Sequence, residues 1–217
     1  MRQYSRYISL IVIPIAIGFA SVTAVALRIF GPAYVSGFAP SSIVSIVSGL
    51  TAVGAVYAAV LLAVGKLRWY MAANIVGVGA LGIVAYIATP SLGLSGTALG
   101  RASLMIVVAL LYAYAAKREG FFKLDVRALI SASLASMPMG VVVFTFLSSL
   151  HSFMVQLLML PIVIVIGALL YIASLRVLRV LTVQDFAVIQ LMAPLNSRRL
   201  IELIALVAGV SSESTLA

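Results

Sequence analysis

The chain has 217 residues; 64% are apolar, only 9% are charged, and the mean hydropathy is +1.25. Soluble domains carry about 25% charged residues, so this composition excludes an ordinary soluble fold and points to a polytopic membrane protein. The net charge of +9 resides in cations that separate apolar runs instead of forming one patch, which argues against nucleic-acid binding.

Cysteine is absent, which removes disulfides and thiolate metal sites. Six apolar runs are long enough to span a bilayer, at about 8–30, 42–65, 70–89, 94–116, 128–150 and 153–175. None shows the two-residue alternation of membrane strands. Helices satisfy their own backbone groups in lipid, so the expected fold is all-α: a six-helix transmembrane domain over 1–178, followed by a tail over 179–217.

The cations give the topology. Arg2, Arg6, Lys66, Arg68, Lys117, Arg118, Lys123, Arg127, Arg176, Arg179, Arg198 and Arg199 all fall on the side that holds Met1. The opposite loops (31–41, 90–93 and 151–152) hold no Lys or Arg. By the positive-inside rule both termini are expected in the cytoplasm and the protein in the cell membrane. The first run has the basic start of a signal peptide and an Ala24-Val25-Ala26 cleavage pattern, but its apolar part is too long for one. It is read as a retained span.

Prolines 14, 138 and 161 lie inside spans, as kinks or as hinges. Gly49, Gly54, Gly77, Gly79, Gly82, Gly96 and Gly100 read as close helix-packing positions, within the chain or against a partner. GVGALG at 77–82 fits a dinucleotide fingerprint only in letters: no strand precedes it and Ala102 stands where an acid is needed. Beyond Leu175 the pattern becomes amphipathic. Thr182 to Asp185 resembles a capping box, and Ser197 is placed to cap a helix from Arg198 to Ala208. The tail is read as interfacial helices on the cytoplasmic face.

Catalytic groups are scarce. His151 stands alone in a loop, and Glu119, Asp125, Asp185, Glu202 and Glu213 all fall on the basic side. No enzyme activity, metal or cofactor is expected. Two arginines lie within spans. Arg28 is near the end of the first, where it can reach the interface. Arg101 lies seven residues into the fourth, about 10 Å deep. A mid-helix arginine costs about 2.5–3.5 kcal/mol to insert, so it is expected to face protein or water. Two readings stand: a cavity for an anionic headgroup, lined by Arg101 with Arg28, or a structural or lipid-phosphate contact. Asn74, deep in the third span, is read as an interhelical hydrogen bonder or as a substrate contact.

Four stretches carry a family resemblance: SRYISLIVIPIAIGF near the start, LRIFGPAYV at 27–35, TPSLGLSGTALGRASL from Thr89, and LRVLTVQDFAVIQLMAPL in the tail. In order and spacing they resemble the C-terminal part of the polysaccharide (lipid-linked oligosaccharide) flippases of the MATE/MOP superfamily. The resemblance implies the last six of fourteen helices and an alternating-access cycle. It also implies a cationic cavity for a lipid pyrophosphate at Arg101 and Arg28, driven by an ion gradient or coupled synthesis. A second transmembrane half would come from further spans, a separate chain or a second copy. The expected partners are membrane lipids and a lipid-linked saccharide. The rival reading is a non-transporting assembly subunit or a remnant of a transporter.

Overall fold

The computed structural model describes residues 2–122, 124–150 and 152–178. The expected amphipathic tail and His151 lie outside them. Six α-helices follow one another: α1 (Arg2–Phe30), α2 (Phe38–Ala63), α3 (Leu67–Leu92), α4 (Leu94–Arg118), α5 (Val126–Ser149) and α6 (Phe153–Val177). All six are long and apolar enough to cross a membrane. At 24 to 29 residues each, they extend about 36–44 Å, beyond a hydrocarbon core of about 30 Å. The protein is a multi-pass helical membrane protein. The first loop is shorter than expected. Gly31, at φ 131°, breaks the chain, a 3₁₀ turn runs from Pro32 to Gly37, and α2 begins at Phe38. Pro40 sits in the first turn of α2, where a missing N–H costs nothing. The 90–93 loop shrinks to Gly93, whose φ of +55° suits glycine.

Each helix packs on few others. α3 packs on α4, α4 on α2, α2 on α1, α1 on α5 and α5 on α6, with smaller α1–α6 and α2–α3 contacts. Two apolar centres result. Ile13, Val25, Met139, Val143, Val163 and Leu175 fill the first, among α1, α5 and α6. Val53, Tyr57, Leu61, Ala73, Tyr112 and Ala116 fill the second, among α2, α3 and α4.

A glycine marks each main interface. A Cβ on Gly49 of α2 would sit 2.5 Å from the Ala16 Cβ of α1. On Gly54 it would sit 2.9 Å from the Ala109 Cβ of α4. On Gly140 and Gly167 it would press on Ile17 of α1 and Val143 of α5, at 2.8 and 3.0 Å. α3 and α4 approach most closely: a Cβ on Gly96 would meet the Ala88 backbone at 2.5 Å, and one on Gly77 would overlap Val108. Gly79 and Gly82 meet nothing within 4 Å, so these two do not pack on another helix among the described residues.

Pro14 removes one helical N–H and leaves the Leu10 carbonyl, four residues back, without its intrahelical donor. The Tyr171 hydroxyl of α6 donates to that carbonyl at 2.8 Å. At the basic end, the Asp125 side chain caps α5 by accepting from the Ala128 N–H at 3.2 Å. The Asp125 backbone N–H donates to the Ser5 Oγ of α1.

Two outcomes follow from this packing. Gly96→Val forces α3 from α4 and should lower stability by about 1–3 kcal/mol, read as a fall in melting temperature in detergent, whereas Gly79→Ala should leave it unchanged or higher. Tyr171→Phe should cost about 1 kcal/mol. That cost should shrink in a Pro14→Ala background, where the restored N–H serves Leu10; an equal cost in both backgrounds would refute the link.

Candidate functional site

The structure places the three candidate residues in three different surroundings. Asn74 bridges α3 and α4 in the basic half of the bundle. Its Nδ2 donates to the Tyr112 hydroxyl at 2.6 Å and to the Tyr70 carbonyl at 2.8 Å. Tyr70 and Tyr112 stack at 5.6 Å. Asn74 thus works as an interhelical clasp.

Arg28 is held at the opposite end. Its Nη1 donates to the Gln156 Oε1 of α6 at 2.9 Å. Gln156 is 5% exposed. Its Nε2 donates to the Leu147 and Leu150 carbonyls at 3.0 and 2.7 Å. The Leu147 carbonyl, in the last turn of α5, also accepts the Leu150 N–H at 3.3 Å, and the Leu150 carbonyl lies just past the helix end. One amide therefore closes α5 and accepts from Arg28. Sequence reading passed over Gln156: it is uncharged, stands singly in an apolar run, and its Arg28 partner lies 128 positions away. A lone glutamine four residues into a span was the available signal.

Arg101 differs. It is exposed on α4 and lines an open cleft of about 540 Å³ between α2 and α4, with Gly37, Ser41, Ser45 and Thr97. Among the described residues, no hydrogen-bond or ion-pair partner meets its guanidinium. The cleft lies at the N-terminal turns of two parallel helices, neither of which carries an acidic residue in its first turn. Helix N-termini present partial positive charge, so both dipoles and Arg101 act in the same sense. The Ser41 and Ser45 hydroxyls have no protein partner among the described residues. Thr97 bonds back to the Leu94 carbonyl at 2.8 Å. The arrangement attracts an anion and offers hydroxyls to a polar group beside it. Arg28 does not line this cleft.

A second hollow, of about 430 Å³, lies among α1, α5 and α6. Pro14, Gly18, Val22, Met139, Gly167 and Tyr171 contribute to its wall. It is apolar and holds no charged side chain.

Comparison with protein-family models, with curated proteins and with solved structures finds no match for this chain.

The role of Gln156 can be checked directly. Gln156→Leu removes the cap of α5 and the acceptor of Arg28, and should destabilise the fold by about 1–3 kcal/mol. Arg28→Gln should cost less, because the α5 cap survives. A thermal-unfolding series in detergent reads both; equal losses would show that the cap contributes nothing.

Proposed function

We propose that this chain forms one half of a transporter that moves lipid-linked saccharides across the cell membrane by alternating access, with both termini in the cytoplasm. One observation carries the reading: Arg101 lies within an apolar span, uncompensated among the described residues, in an open cleft between two helix N-termini. A phosphate there meets an arginine and two positive helix ends, the pattern by which broken or terminal helices hold anions in membrane carriers. Ser41 and Ser45 would face the sugar. The lipid tails would remain in the bilayer beside the cleft, which a second transmembrane half or a second copy would close. The family resemblance supports the same assignment.

A second reading rests on α3. Among the described residues, nothing comes within 4 Å of a Cβ placed on Gly79 or Gly82, and the neighbouring Ile75 and Tyr86 are 69% and 85% exposed. Such a face fits an assembly subunit that docks on another membrane protein.

The two readings separate in one experiment. Polyprenyl-phosphate saccharide should bind the purified chain, and Arg101→Ala should weaken binding about 10- to 100-fold, the scale of a lost charge-assisted hydrogen bond. Arg28→Gln should bind as before. Unchanged binding by a folded Arg101→Ala protein would remove the transport site. Absence of binding, with stable co-purification of a different membrane protein, would favour the subunit.

A further inference from the structure

The opposite, basic end of the α3–α4 hairpin carries a second charged feature, independent of the cleft. α3 starts and α4 ends there, and the Lys66 Nζ lies 2.9 Å from the Glu119 Oε2, tying the two open ends together. Glu119 is thereby engaged. Arg68, Lys117 and Arg118 stand around this pair, and none meets a carboxylate among the described residues. The corner holds four cations and one carboxylate.

Aromatic rings fix where those cations lie. The Arg118 guanidinium sits 5.5 Å from the centroid of the Trp69 ring. Trp69 packs edge-on against Tyr114, with centroids 6.1 Å apart at 70°. Trp69 is the sole tryptophan of the chain. Tryptophan and tyrosine settle at the headgroup level of a bilayer, so the pair sets the depth of Arg118 at the phosphate layer. Below it, Tyr114 and Leu110 continue the exposed stripe of α4 at four-residue spacing, 57% and 64% exposed. A cationic shelf, an aromatic edge and an apolar wall thus run downward in that order.

We propose that this corner is a binding site for an anionic phospholipid, with the headgroup phosphate on Arg68, Lys117 and Arg118 and an acyl chain along Tyr114 and Leu110. The charge excess selects acidic over zwitterionic lipid. The wall selects a lipid over a free anion. Arginine laid on an indole is preorganised for phosphate, because its planar fork keeps its outward donors.

The test uses the purified full chain in detergent, titrated with phosphatidylglycerol or phosphatidylcholine, followed by thermal unfolding and native mass spectrometry. Phosphatidylglycerol should raise the melting temperature and remain bound; phosphatidylcholine should do neither. Each cation removed should weaken phosphatidylglycerol about fivefold, the effect of one basic residue at a charged membrane surface. Arg68→Gln/Lys117→Gln/Arg118→Gln should therefore lose the shift, and Arg118→Gln alone should lose part of it. Arg127→Gln, which removes a cation from α5 at the same end, should keep it. Inorganic phosphate at equal concentration should not reproduce it. Equal action of the two lipids, a full shift in the triple variant, or replacement by inorganic phosphate would each overturn the proposal.

Discussion

Between helices bathed in lipid, exchanging a leucine–lipid contact for a leucine–leucine contact changes little, so attraction has to come from close approach of backbones. This constraint shapes the whole bundle. Gly49, Gly54, Gly140, Gly167 and the α3–α4 set of Gly77, Gly96 and Gly100 each stand where a methyl group would collide with the facing helix. They join the helices in the packing order α3, α4, α2, α1, α5, α6. Because each helix meets few neighbours, two small apolar centres form instead of one, and α1 against α2 is the seam between them. The cleft at Arg101 follows from the same rule. α2 and α4 touch closely at Gly54 and Ala109, and the cleft lies between them nearer their N-terminal ends.

Lipid imposes a second demand: backbone groups released by a proline or a helix end need a partner inside the protein. Tyr171 answers it for Pro14, Gln156 for the end of α5, and Asp125 for its start. Ser9, Thr23 and Ser136, all buried, bond back to their own helices. The polar side chains of the interior are therefore mostly structural, and Asn74 belongs with them.

How much of this was legible in the sequence depends on the range of the interaction. Six helices and their limits could be read because apolar length and the position of charge are local quantities. The loop at 31–41 was drawn too long because the apolar run begins at Ser42, whereas α2 already starts at Phe38, with Pro40 tolerated in its first turn. Gly77, Gly96 and Gly100 pack within the chain, whereas Gly79 and Gly82, identical to them in one dimension, meet nothing among the described residues; which glycines pack within the chain was not legible in one dimension. Gln156 was passed over for a related reason: its place in an apolar span marks it as polar, but nothing in the letters shows that it caps one helix and holds an arginine of another. Arg101 and Arg28 could be singled out as intramembrane charges, but their separation into a free and a held cation required the fold.

That separation constrains any mechanism. Arg28, exposed near the end of its helix, already has an acceptor in the neutral Gln156 amide. Arg101 lies about 10 Å along α4 with no counter-group among the described residues, and excluding water from it would incur the insertion cost of a buried arginine. The two helix N-termini beside it add to that cost instead of relieving it, because their dipoles have the same sign. In the proposed transporter, an unoccupied cleft would thus resist closure. A bound phosphate reverses the balance: it neutralises Arg101, gains from both dipoles, and lets the cleft dry. In a transport cycle of the proposed kind, closure would then depend on an anionic occupant, and the coupling would need no carboxylate relay within the spans.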